Sequence, residues 1–381
     1  MKNENKAVLE LCKFISPNRE EIEILLSQPL DFPYILGQLL YNRMGGAAYY
    51  SLKKCGLLGR VNREFRNTLK TVYDSGVTKY ESFQTALESF SEMLCRNALR
   101  RDGFSYAMLK GAYLVSLYPA GLRISNDLDI LVDQISLPKL ETALKDNGYE
   151  QGYIQNGSFV PAARSEILSS RMNRGETVPF IKKVDLPQME YFEIDINFSL
   201  DFKAKQESDN VSLLLQNAAP MIETNAGELL TLSPSDFLIH LCAHLFKEAA
   251  VYAWVQMERD LSLYKFADLY LVLNEWQSVI FFDALETRIQ SLGMRRECYF
   301  ALLFTKELFG LESEPLDKLL SAIKPESTDY LKEILRPEQN KLYRHNKSFT
   351  DWMFTSARKT HLEELSSATA EPWMKKFNRL R

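Results

Sequence analysis

Long apolar runs are missing from this chain. No window approaches 18 consecutive apolar residues, so no membrane-spanning helix is read from it. The opening stretch, Met1 to Ser16, carries Lys2, Glu4, Lys6 and Glu10 and no small-residue cleavage site. No secretory signal is therefore read, and a cytoplasmic location without membrane contact is the expectation. Cysteines are few: Cys12, Cys55, Cys95, Cys242 and Cys298 are scattered, odd in number and never paired as CxxC. That argues against a disulfide framework or a cysteine zinc site and for free thiols in a reducing compartment. Basic charge is not in excess either, since 46 Lys and Arg face 50 Asp and Glu for a net charge of −4. A non-specific grip on long nucleic acid draws its affinity from neutralised phosphates, and this balance argues against it. A nucleotide-sized ligand needs only a local basic spot. No repeat period and no low-complexity segment is present.

What is there is ordinary globular material. The 381 residues are 46% apolar and 25% charged, enough for a sizeable core and for two or three domains. The 22 Phe and 18 Tyr read as the packing of large helices. Residues 1–103 read as a helical region broken by Pro17 and Pro29. Its clearest helix is predicted from Thr78 to Arg101, with Thr78 and Glu81 at capping-box spacing. Tyr80, Phe83, Leu87, Phe90, Leu94 and Ala98 form its apolar face, and Gly103 its stop. Residues 104–230 change character, with short apolar runs between Gly and Asp breaks. Strands are predicted in "SYAMLKG", in "DLDILV" (Asp127 to Val132) and in "MEYFEIDINFSL" (Met189 to Leu200). A helix is predicted from Ser136 to Gly148, with Pro138 in its first turn. The stretch from Gln155 to Pro187 is polar and basic and reads as partly an insertion; within it the run from Arg164 through Arg171, Arg174 and Lys182 to Lys183 reads as a solvated loop. Residues 231–381 return to helix, with Ser233-Pro234 as an opening and a charged tail from Arg336. The fold class is α+β: a small mixed-sheet core flanked by helical regions.

The chemistry concentrates in the middle. Asp127 and Asp129 stand at i and i+2, so on a strand they share a face. Leu128, Ile130, Leu131 and Val132 make that strand largely buried. Two like charges at its edge repel and lose hydration, and a divalent cation relieves both penalties. Magnesium suits, because it takes oxygen ligands from a couple of carboxylates plus substrate phosphates. An isolated DxD is more often a solvated turn. Here two further features accompany it. Gly111 upstream sits where a strand turns into a helix, which makes an anion site of backbone N–H groups and helix dipole. Asp195 downstream is a carboxylate between Ile194 and Ile196 in a second apolar strand.

The stretch "LKGAYLVSLYPAGLRISNDLDILVDQISLPKLETALKDNGY" resembles the nucleotidyltransferase-fold superfamily (polymerase-beta-like). It is most similar to a bacterial branch of uncharacterised nucleotidyltransferases with an "LKG … Y … R … DxD … LV … GY" signature. Lys110, Gly111, Tyr118, Arg123, Asp127, Asp129, Gly148 and Tyr149 fall on it. "FEIDINFSL", "LSPSDFLIHLCAHL" and "KFADLYLVL" extend the likeness over most of residues 30–280. The resemblance implies transfer of a nucleotidyl group from a nucleoside triphosphate, ATP by default, with release of pyrophosphate. It implies two Mg²⁺ ions held by Asp127, Asp129 and Asp195, the last also placed to take the acceptor's proton. Lys110, Gly111 and Arg123 would steady the phosphates. The net charge ranks a small-molecule or protein acceptor ahead of an RNA end. The alternative is a non-catalytic nucleotide-binding or protein-interaction module on the same fold. Two departures stand out: Gly111-Ala112 replaces the Gly-Gly or Gly-Ser frequent in the superfamily, and Asn197 stands where the branch often has histidine.

Other residues read as structural. His240 and His244, at i and i+4 with Glu248 one turn on, have zinc-ligand spacing without an HExxH or a cysteine cluster, so helix packing or substrate contact is the preferred reading. Asp268, inside "YKFADLYLVL", needs a partner if buried and leans to a structural ion pair.

Overall fold

Proline and short polar residues punctuate the first hundred positions, and the helices follow them. The structure is a computed structural model that describes residues 1–97, 99, 104–173, 175–199, 210–276 and 282–365. The positions assigned above to Ala98, Arg101, Gly103, Arg174, Leu200 and the tail from 366 onward lie outside the described residues. Helices α1 (Asn3–Leu11), α2 (Arg19–Leu26), α3 (Phe32–Tyr41) and α4 (Gly45–Lys54) precede the long α5 (Arg63–Arg96). Asn18 and Asp31 cap α2 and α3 by accepting from the N–H groups of Glu21 and Tyr34 at 3.2 and 2.9 Å. The long helix begins well before Thr78. The Asn62 side chain accepts from the Phe65 N–H at 2.8 Å, and Phe65 and Leu69 are buried. The apolar stripe thus starts a cap earlier than expected, and the Thr78/Glu81 pair lies inside the helix. Gly76 weakens the helix without ending it, because one glycine costs only about 1 kcal/mol.

The chain divides into two compact units, Val77–Phe237 and the remainder, which joins Met1–Gly76 to residues from Leu238 on. In the Val77–Phe237 unit the order is β1 (Tyr106–Met108), α6 (Lys110–Leu117), β2 (Asp127–Val132), α7 (Leu137–Asp146), β3 (Glu150–Gln155), β4 (Ser158–Pro161), α8 (Arg164–Asn173), β5 (Phe180–Leu186), β6 (Met189–Asn197), α9 (Asn210–Leu215), β7 (Ala219–Ile222) and β8 (Leu229–Thr231). The eight strands form one sheet in the order β4-β3-β5-β6-β2-β1-β8-β7. The pairs β2·β6 and β1·β8 are parallel and the rest antiparallel. The fold is α+β with a mixed sheet.

Along β6 burial alternates with period two. Phe192, Ile194 and Ile196 are fully buried, while Tyr191, Glu193, Asp195 and Asn197 are half-buried. One face is core and the other polar, as a pleated strand dictates. Phe83 of α5 meets Phe192 edge-on at 5.9 Å between ring centroids. The run from Arg164 to Lys183, read as a solvated loop, instead falls in α8 and β5, and β5 is an interior strand between β3 and β6. Phe180 and Ile181 are buried there, and these two apolar residues hold the segment in the sheet despite the lysines that follow.

The other unit is chiefly helical. After α10 (Pro234–Ala250) come α11 (Tyr252–Gln256), α12 (Leu263–Glu275), α13 (Phe282–Ser291), α14 (Arg295–Phe309), α15 (Glu314–Ile323), β9 (Glu333–Arg336), β10 (Lys341–Arg344), α16 (Phe349–Met353) and β11 (Glu363–Glu364). The strands form a small antiparallel sheet, β11-β10-β9, which the polar composition past Arg336 did not signal. Two contacts tie distant segments. The Asn42 side chain accepts from the Leu263 N–H at 2.9 Å and so caps α12. Asp260, with no exposure, is gripped by buried Arg358 through Nη2 at 2.6 Å and Nε at 2.8 Å. Among the described residues no helix is long and apolar enough to cross a membrane. Removing one member of a buried, doubly hydrogen-bonded ion pair strands the other charge, at a cost of about 3–5 kcal/mol. Arg358→Ala is therefore expected to lower the denaturant midpoint of this unit markedly. A midpoint equal to wild type would mean Asp260 finds another partner.

Candidate active site

The polar face of β2 and β6 gathers the acidic residues. In the parallel register Asp127 lies beside Glu193 and Asp129 beside Asp195. Residues side by side in a ladder, and residues two apart along a strand, point to the same face. Four carboxylates therefore share one patch. Asp127, Glu193 and Asp195 are half-buried and Asp129 is 7% exposed.

Their electrostatics are those of crowded, poorly hydrated acids. Burial pushes Asp129 up to about 6, against the pull of Lys110 and with a further push from Asp127. Burial, then Asp127 and Asp129, push Glu193 up to about 7. Asp195 is raised well above the ordinary range by burial and by Asp129, Glu193 and Asp127, with Lys110 opposing. The Lys110 ammonium lies 3.6 Å from Asp129 Oδ1. Asp129 Oδ2 is buried and has no hydrogen-bond partner, an arrangement costly enough to need a reason.

Helix α6 enters directly beside these acids. Its cap position is Leu109, which offers no side-chain acceptor to the first-turn N–H groups. The Leu109 N–H is tied to the Asp129 carbonyl at 2.9 Å, which fixes the helix start against β2. Gly111 is needed for the fit: a Cβ there would stand 2.9 Å from the Asp127 carbonyl oxygen and 3.0 Å from Ser125 Oγ. Ser125, itself buried, lies 3.1 Å from Asp127 Oδ1 and orients that carboxylate. Arg123 donates to the Ile124 carbonyl at 2.7 Å and draws Asp129 downward electrostatically.

So Asp127, Asp129, Asp195, Lys110 and Gly111 come together, with Arg123 at the margin. Two members went unread in the sequence. Glu193 repeats the two-residue spacing as E-x-D, which ordinary strand alternation also produces, and Ser125 has no distinguishing pattern. Among the described residues no three His, Cys, Asp or Glu side chains converge closely enough to hold a metal ion by themselves. The residues still fit magnesium, which takes one or two carboxylates and completes its shell from phosphates and water. The unbonded Oδ2 and the mutual repulsion are what such an ion relieves.

The remaining candidates lie apart from these acids in sequence. His240 and His244 stack loosely on α10, with ring centroids 6.3 Å apart. His244 lies 3.5 Å from Glu248, which is also ion-paired with Lys265. Asp268 is buried on α12. Of the basic stretch, Arg171 pairs with Glu141, and Lys183 with Asp185 and Glu190.

The family described as "Uncharacterised nucleotidyltransferase" matches residues 28–310, most of the chain. No curated protein matches. Among solved structures the chain is similar to an antigenic nucleotidyltransferase-like protein from Paracoccidioides brasiliensis, at 13% identity. That match covers 63% of this chain and 92% of the other, with a TM-score of 0.36.

Two outcomes follow from the geometry. Gly111→Ala forces a methyl against the β2 backbone and is expected to cost about 1–3 kcal/mol in thermal stability; an unchanged melting temperature would mean α6 can shift freely. Asp129 is raised in the folded state, so its contribution to stability is fullest below about pH 4 and declines as pH rises through about 6. In chelator-containing buffer at pH 8, Asp129→Asn is therefore expected to be more stable than the parent by roughly 1–3 kcal/mol. That gain should fade toward pH 4, and a gain independent of pH would refute the electrostatic cause.

Proposed function

The chain belongs to the uncharacterised nucleotidyltransferase family, and on that premise we propose that it transfers a nucleotidyl group from a nucleoside triphosphate to an acceptor hydroxyl. The observation that carries this reading is the juxtaposition of an uncapped helix start, α6, with the carboxylates of β2 and β6. One half of that patch suits phosphate and the other suits a cation. First-turn N–H groups and the helix dipole favour an anion at Gly111. Lys110 and Arg123 supply positive charge beside it.

Asp127, Asp129 and Asp195 would hold Mg²⁺, which when bound neutralises phosphate charge and makes the acceptor hydroxyl more acidic. The rest of the work falls to this chain's own groups. Ser125 keeps Asp127 turned toward the α6 side. The N–H of Gly111 and the Lys110 ammonium orient the triphosphate. The acceptor oxygen attacks the α-phosphorus in line, the bond to the β-phosphate oxygen breaks, and pyrophosphate departs. Asp195, on the strand beyond β2 as seen from α6, takes the acceptor's proton. ATP is the default donor. The net charge of −4 favours a small-molecule or protein acceptor over RNA.

The test is thermal unfolding of the full chain with each nucleoside triphosphate, with and without Mg²⁺, beside Asp127→Ala. Native-state binding at a hundredfold excess over Kd stabilises by about 2.7 kcal/mol. A rise for at least one triphosphate that requires Mg²⁺ and vanishes in Asp127→Ala is the expected result. No rise with any triphosphate would sink the reading. A rise that survives without Mg²⁺ and in the variant would point to a nucleotide-binding module without transfer chemistry.

A further inference from the structure

The acidic patch has two rungs with different surroundings. The inner rung is Asp129 beside Asp195, and Lys110 serves it, 3.6 Å from Asp129. The outer rung is Asp127 beside Glu193. Neighbouring strands run about 4.8 Å apart, and residues two apart on one strand are separated by about 6.5–7 Å. The two carboxylates of a rung are therefore closer at the backbone than the two aspartates of the DxD pair. The charges that bear on Glu193 are Asp127 and Asp129, both negative, and its side chain is half-buried. Like charges held together in a poorly hydrated place are retained only with a counter-charge, and among the described residues no ion pair to Asp127 or Glu193 is formed, whereas Asp129 has Lys110. Beside it, Asp129 turns a buried Oδ2 without a hydrogen-bond partner toward Gly111, 3.7 Å from where a Cβ would stand. That oxygen is a second sign that the patch is built for a cation.

We infer that Glu193 is a fourth carboxylate of the site, which with Asp127 forms the divalent-cation position of the outer rung. The inference rests on the reading of function above and adds to it a residue that the DxD and third-aspartate pattern does not contain. Glutamate suits the place. It has one methylene more than its partner across the rung, so the two carboxylates can reach the same ion from staggered heights. Two cations bound by carboxylates contributed from two sides are the arrangement that phosphoryl-transfer sites use to hold both attacking and leaving oxygens. Glu193 would thus set how tightly the site takes a metal before any nucleotide arrives.

The experiment is a Mn²⁺ titration of the full chain without nucleotide, with free Mn²⁺ followed by electron paramagnetic resonance. It compares wild type, Glu193→Gln, Glu193→Asp and Asp127→Asn. The expected result is that Glu193→Gln weakens Mn²⁺ binding about tenfold or more, and that Glu193→Asp recovers part of it. The unfolding temperature of Glu193→Gln in chelator should equal or exceed that of wild type, because a repulsive charge is gone. Mn²⁺ binding by Glu193→Gln equal to wild type, alongside its loss in Asp127→Asn, would overturn the inference and leave the functional reading intact. Absence of Mn²⁺ binding in wild type would overturn this inference; the functional reading would then stand or fall on the Mg²⁺-dependent triphosphate shift. Weak binding in both Glu193 variants, together with a lowered unfolding temperature in chelator, would assign Glu193 a structural role and also overturn it.

Discussion

The parallel pairing of β2 with β6 is the constraint on which the site depends. A slip of one residue in that ladder would turn the acids of one strand into the core and the isoleucines outward. The buried set Leu128, Ile130, Phe192, Ile194 and Ile196 prevents that slip. Hydrophobic burial on one face therefore holds like charges together on the other. The fold tolerates this concentration of negative charge because the strands' apolar faces stabilise far more than the acids cost. A packed core is thus the scaffold for an unfavourable but useful arrangement.

The strands bearing Asp127, Asp129 and Asp195 were legible because each aspartate is a polar outlier in an apolar run, and period two is visible in six to nine residues. Glu193 was hidden for a related reason. Beside Asp195 it looks like ordinary alternation on an exposed face, and only the register with Asp127 gives it a neighbour. Register is a long-range property, set by the whole buried face, and no local spacing encodes it. The start of α5 was misplaced because Thr78 and Glu81 imitate a cap whose true counterpart is Asn62. The basic run that holds α8 and β5 reads as a loop because its five basic residues, three Arg and two Lys, outnumber the two apolar residues, Phe180 and Ile181, that anchor it. Beyond Arg336 the strands are two to four residues long, too short for any periodicity to register.

Within the helical unit, several polar groups tie distant segments together. Asn42 caps a helix more than two hundred residues away in sequence, and Asp260 and Arg358 close another long loop from inside the core. Glu248 of α10 is ion-paired with Lys265 of α12 and lies beside His244. These are the interactions expected of a region whose aromatic residues supply its bulk, with Tyr270 stacked on Phe309 at 4.4 Å and Phe304 on Phe349 at 3.6 Å.

The Asn42–Leu263 and Asp260–Arg358 contacts also bear on how the chain comes off the ribosome. One unit is a single continuous stretch, Val77–Phe237, and can assemble once that stretch has emerged. The other is assembled from both sides of it. At about 5–20 residues per second, the first helices wait roughly tens of seconds for α12 and Arg358 to be synthesised. During that interval α1, α2, α3 and α4 have one another to pack against, but the contact of α1 with α14 is still missing. The nascent chain therefore passes through a stage in which α1 to α4 are made and the later segments that complete their unit are not.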